Sequence, residues 1–148
     1  VSGDSRTVDF RRLLAEYDID QVQFLMLHPP YHDIIKFSAE EQDLSNAPTV
    51  ERFTEQFSDI VAGAADVLAP GRFLAVVIGD KYQDGAWVPL GFEVMNALRH
   101  QGYRLKSIVV KNFERTRAKR DQGSLWRYRA LAGGFYVFKH EYIFIFQA

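Results

Sequence analysis

Two short runs of this chain are almost wholly apolar, VQFLML at Val22–Leu27 and FLAVVI at residues 73–78. Runs of this length without alternation suit strands covered on both faces. Between them Val50, Phe53, Phe57, Ile60, Val61, Ala64, Val67 and Leu68 recur at helical spacing. Asn46 or Thr49 can cap that helix, and Pro70-Gly71 can end it. The same reading gives a short helix over 9–17 with Phe10, Leu13 and Leu14 on one face, and a helix over Leu90–His100 closed by Gly102. Strands follow over 103–113 and 135–146, with a long basic loop between them. The order β-α-β-α-β-β predicts an α/β fold. Its sheet is mostly parallel, helices lie on both faces, and one antiparallel strand is inserted at an edge near the C-terminus.

Composition limits what such a domain can be. With 148 residues, 47% hydrophobic and 14% aromatic, the chain suffices for one domain with a proper core and does not read as disordered. No cysteine is present, so disulfides and thiolate metal sites are excluded. The net charge of −1 gives no overall field for a polyanion, so any nucleic-acid site must be a local patch. No apolar run approaches membrane-spanning length and no signal peptide is seen, so a cytoplasmic location and no membrane partner are expected. The chain begins at Val1 rather than Met, which suggests a piece of something longer.

The first apolar run stops on His28-Pro29-Pro30-Tyr31. Two prolines fix two φ angles and remove two N–H donors, so the chain leaves the sheet stiffly. A residue before proline is held extended, which keeps His28 at the strand end. A His ring, free carbonyls and a Tyr ring are thereby presented at the carboxyl edge of the sheet, where open α/β sheets bind ligands. A metal role for His28 and His32 is disfavoured: the prolines forbid a helix that would align them, and no ligand cluster is visible.

This tetrapeptide is similar to the (Asp/Asn/Ser)-Pro-Pro-Tyr motif of the S-adenosylmethionine-dependent DNA amino-methyltransferases. Its company strengthens the match: LAPGRFLAVVIGDKY, GYRLKSIVVKNF and GFYVFKHEYIFIF follow in the family's order. The resemblance runs from about Gly3 to the end and implies part of a Rossmann-like methyltransferase sheet. It also implies methyl transfer to the exocyclic amino group of adenine (N6) or cytosine (N4) in DNA, in a DNA-methylation or restriction–modification setting. An exocyclic amine is a poor nucleophile because its lone pair is delocalised into the ring. Two acceptors gripping its hydrogens favour a pyramidal, attacking nitrogen. The Pro29 carbonyl is one such acceptor and a neutral His28 ring nitrogen the other, while Pro30 stiffens the turn and Tyr31 stacks on a base rotated out of the duplex. Imidazole departs from the family's usual residue. Either His28 substitutes as a neutral acceptor, which is the preferred reading, or the site binds without turning over.

The resemblance implies further roles. Asp4, with His28, is the candidate contact to the cofactor; a turn or N-cap Asp is the alternative reading. Tyr136 or Phe138 would close the other face of the base, Asp80 would shape the substrate pocket or merely end a strand, and His140-Glu141 would be structural support. Arg115, Arg117, Lys119, Arg120 and Arg127, interleaved with Trp126, suit a nucleic-acid backbone beside unstacked bases. The family's Gly-rich cofactor loop is not found, since Gly79-Asp80 lacks the second glycine of a GxG. That loop is expected upstream of Val1, so the partners expected are DNA and either the missing N-terminal half of the same protein or a second copy. The rival readings are a non-catalytic nucleic-acid-binding module on the same sheet and an RNA methyltransferase.

Overall fold

The structure is a computed structural model that describes residues 3–113, 123–137 and 139–148. Its main sheet has four strands: β1 (Val22–Leu27), β2 (Leu68–Ile78), β5 (Arg104–Asn112) and β6 (His140–Gln147). They lie in the order β1-β2-β6-β5. β1 runs parallel to β2, and β6 is antiparallel to both β2 and β5, so three strands share one direction and one opposes them. The α/β class and the single reversed strand agree with the sequence. The position of that strand does not, because β6 is inserted between β2 and β5 rather than at the edge. Its run of Tyr142, Ile143, Phe144, Ile145 and Phe146 is the strand most able to be covered on both faces, whereas β5 carries Lys106, Ser107 and Lys111 and takes the edge.

Alternation sorts the core. Leu74, Val76 and Ile78 pair across to Phe146, Phe144 and Tyr142, and Leu25 and Leu27 join them from β1. This face receives α2 (Val50–Ala65) through Phe53, Phe57 and Val61, and α3 (Leu90–His100) through Leu90, Val94 and Leu98. Thr49 caps α2 by accepting from Arg52 N–H. On the opposite face of β1, Phe24 and Met26 stay 52% and 66% exposed. A shorter helix, α1 (Phe10–Ala15), is capped by Asp9.

Three boundaries differ from the sequence reading. α2 stops at Ala65, with Val67 and Leu68 buried beyond it; they belong to the approach and start of β2. Pro70-Gly71 therefore lies inside β2, where the β1 register slips between Val22↔Leu68 and Phe24↔Phe73. A proline is tolerated at such an irregularity. The second difference is a hairpin of β3 (Lys81–Gln83) and β4 (Ala86–Val88), turning on Asp84 and Gly85 with both φ positive. Asp-Gly is the sequence signal for that turn. Third, part of the expected basic loop is helix α4 (Gly123–Gly133), and β6 begins at His140, not at 135. Gly134 has φ 66°, and Phe135 turns aside to stack on Tyr82 with centroids 3.9 Å apart.

Candidate active site

β1 delivers His28-Pro29-Pro30-Tyr31 at its carboxyl end, where Pro29 is buried and His28 exposed. The turn borders a cleft of about 800 Å3. Asp4, His28, Pro29, Pro30 and Tyr31 all line it, with Ile34, Ile35 and Phe37 forming an apolar wall. The structure thus brings two separately read segments, 24 residues or more apart in the chain, to one cavity.

Asp4 is a turn residue whose carbonyl accepts from Thr7 and Val8 N–H. Its carboxylate is gripped by Arg6 through the guanidinium and the backbone N–H, which holds it below the usual carboxylate range. Arg6 also donates to Gln42 at 2.9 Å, tying this segment to the loop across the cleft. The helix cap nearby is Asp9 instead.

Tyr31 is fixed from two sides. Its ring packs on Gly79, where an added Cβ would sit 2.9 Å from Cε2. Its hydroxyl donates to Glu141 on β6, which also accepts from Lys111 Nζ at 2.8 Å. Burial, and then the Glu141 carboxylate, push the Tyr31 phenol well above its ordinary value, so it stays a donor. Burial acts to raise Glu141 too, but hydrogen bonds from Lys111 and Tyr31 and the Lys111 charge outweigh it and hold the carboxyl below its usual range. The His28 ring lies 6.0 Å from that of Tyr31 at 49°.

The depressed Glu141 carboxyl sets an acid sensitivity. A group whose folded value lies below its unfolded one contributes stability above the unfolded value, about 4.3 for Glu, and loses it as pH falls through the folded value. Thermal unfolding followed from about pH 6 down to about pH 3 should therefore show a steep loss of stability. Glu141→Gln should shallow that slope without removing it, because Asp33 and Asp43 are also held low. Identical slopes in parent and variant would dismiss the Glu141 contribution.

Behind the turn lies a buried polar cluster that the sequence did not reveal. Lys81, 2% exposed, donates to His32 Nδ1 at 2.6 Å, to Asp33 Oδ1 at 2.6 Å and to Gln83 Oε1. His32 Nε2–H donates to the Ala47 carbonyl at 2.7 Å, so both ring nitrogens are engaged internally. Gln83 closes the ring of contacts by donating to Asp33 Oδ2. Among the described residues no group of three or more His, Cys, Asp or Glu could hold a metal ion.

Other candidates lie apart from the cleft. Asp80 is 3% exposed and spends its carboxylate internally, accepting from Gly91 N–H at the start of α3 and from Trp87 Nε1 and Tyr142 OH. Tyr136 is 95% exposed and does not line the cleft. Trp126 and Arg127 belong to α4, where Arg127 is exposed and the Arg129 guanidinium lies over the Trp126 ring at 5.4 Å. Arg115, Arg117, Lys119, Arg120 and Phe138 lie outside the described residues. No described helix is long and apolar enough to cross a membrane.

The α/β sheet of three like-directed strands with a reversed strand inside it, bordered by a cleft at the carboxyl end of β1, is a fold that solved structures share. A Thermus thermophilus protein assigned as a DNA modification methylase matches with TM-score 0.61 and 18% identity, over 98% of this chain and 50% of that one. The PvuII DNA methyltransferase, cytosine-N4-specific, matches with TM-score 0.65 and 15% identity, over 95% of this chain and 47% of that one. An S-adenosylmethionine-dependent methyltransferase from Methanosarcina mazei matches with TM-score 0.53 and 13% identity, over 98% and 64%. The chain spans about half the length of the first two. At these identities the likeness establishes the fold. No protein-family model and no curated protein matches the chain.

Proposed function

We propose that the protein methylates the exocyclic amino group of adenine (N6) or cytosine (N4) in DNA, using S-adenosylmethionine. The observation that carries this reading is the single cleft lined by both Asp4 and the His28-Pro29-Pro30-Tyr31 turn. Support comes from the shared fold: the Thermus protein has been solved in complex with S-adenosylmethionine, and the PvuII enzyme is a cytosine-N4 methyltransferase.

The residues present fit one part of the cofactor, its planar ring, with the Gly-rich loop for the rest expected upstream of Val1. The cleft is large enough for a nucleoside-sized group, has an apolar wall for a planar ring and carries the Asp4 carboxylate for a ring amine or hydroxyl. When bound, S-adenosylmethionine supplies an electrophilic methyl group on a sulfonium. The chain's own part is to position the nucleophile. The Pro29 carbonyl and a neutral His28 nitrogen accept from the two amino hydrogens, and Tyr31 gives the base a ring to rest on. Tyr136 and Phe138 are candidates for the second face of the base, and Asp80, whose buried carboxylate is taken up by Gly91, Trp87 and Tyr142, would shape the pocket only through those neighbours.

Incubation of the whole protein with labelled S-adenosylmethionine and unmethylated DNA, followed by nucleoside analysis, tests this. N6-methyladenine or N4-methylcytosine is expected. Binding of DNA without transfer would leave a binding module, and transfer to RNA alone would move the substrate class.

For DNA affinity, Arg115, Arg117, Lys119 and Arg120 are proposed to neutralise phosphates, with Arg127 beside them and Trp126 stacking. Replacing the first four together by Ser should flatten the slope of log K against log salt by roughly one unit for each phosphate no longer neutralised. Trp126→Ala should weaken binding with the slope unchanged, since stacking releases no counterions. A salt titration on duplex DNA reads both, and an unchanged slope in the fourfold variant would remove the segment from the interface.

A further inference from the structure

We propose that Lys81 is a positioning residue for methyl transfer, clamping from behind the loop that carries the reacting groups. The inference rests on the reading of the cleft given above and extends it to a residue that does not line the cleft. Lys81 uses all three ammonium donors on His32, Asp33 and Gln83, and at 2% exposure it has no other solvation. A buried charge persists only when paired and fully bonded, so the cluster holds its partners as firmly as they hold it. Two of those partners directly follow Tyr31 in the chain. His32 has φ 53°, a left-handed conformation that a residue with a Cβ keeps only where its surroundings over-determine it. Those surroundings are Lys81 on Nδ1, the Ala47 carbonyl on Nε2 and the Phe53 ring 5.6 Å away.

The geometry places consequences on both sides of this clamp. Before it stand His28, Pro29, Pro30 and Tyr31; after it Ile34, Ile35 and Phe37 line the same cleft. Losing the ammonium removes the donor from His32 Nδ1 and the counter-charge from Asp33, and lets the backbone at 32–33 relax. Catalysis by positioning is sensitive to such movement, since a misplacement near 1 Å costs roughly 100-fold in rate.

Lys81→Met keeps most of the stem and deletes the donors. In the whole protein, kcat on DNA with S-adenosylmethionine should fall roughly 100-fold with KM for DNA nearly unchanged. Amide hydrogen exchange should accelerate at 31–38 and stay unchanged in α2 and α3. Unchanged kcat together with unchanged exchange overturns the proposal. So does a loss of rate accompanied by uniform loosening of α2 and α3, which would make Lys81 general core support. If Lys81→Met fails to fold, Gln83→Ala removes one acceptor and one donor to Asp33 at a partly exposed position. Faster exchange confined to 31–38 then supports the clamp, and unchanged exchange sinks it. A parent that transfers no methyl group to DNA defeats the functional reading instead, and the exchange pattern still decides whether Lys81 holds the loop.

Discussion

His28→Ala should lower kcat for methyl transfer by roughly 100-fold to 1,000-fold, the cost of deleting one preorganised hydrogen-bonding group at a reacting centre. DNA affinity should barely change. An acceptor aimed at the amino nitrogen matters most as that nitrogen pyramidalises, so its loss falls on the transition state rather than on association. The structure makes this a clean substitution: His28 is exposed at the cleft and packs only loosely, its ring 6.0 Å from that of Tyr31, so alanine leaves no cavity. His28→Asn and His28→Asp supply an oxygen acceptor and should retain turnover. Steady-state kinetics with a binding assay beside them read all four proteins. Equal turnover by His28→Ala would remove the His28 side chain from the chemistry and leave the backbone carbonyls of the turn, Pro29 first among them, as the acceptors.

What the sequence could show follows from how far each interaction reaches. β1 and α3 were legible to the residue, because an apolar run ended by prolines and a periodic stretch closed by Gly102 are local signals. The hairpin at 81–88 was equally local, and Asp84-Gly85 marked it, but its strands of three residues each are too short for alternation to register. β6 was misplaced in the sheet because a strand's neighbours are not written in its own residues. Within the cleft, the turn was legible from its two prolines. Its supports were not: Tyr31 meets Glu141 across 110 positions, and Lys81 meets His32 and Asp33 across 49 and 48. In the linear chain, Lys81 reads as an ordinary polar residue after a strand. Only tertiary closure buries it.

Phe53→Ala should destabilise the protein strongly, by about 3–5 kcal/mol. Phe53 is wholly buried, stacked on Phe57 with interplanar angle 7°, and deleting its ring removes contacts that a close-packed interior cannot restore by collapsing. For a domain of this size that corresponds to a fall in Tm of roughly 10–15 °C. The effect should also be directional. Phe53 supports the His32 ring from the core side, so the cavity opens beneath the loop that follows the His28–Tyr31 turn. Hydrogen exchange in the variant should therefore accelerate at 31–38 as well as in α2, while the β3–β4 hairpin changes less. Phe53→Leu refills most of the space and should recover the larger part of the loss. Calorimetry of both variants with exchange on the first is the measurement. A Tm shift within about 3 °C for alanine would mean that α2 does not pack on the sheet through Phe53, because a filled core position cannot lose a ring so cheaply. A large shift with exchange at 31–38 unaltered would separate the stability of the core from the order of the cleft, leaving the loop to the polar cluster alone.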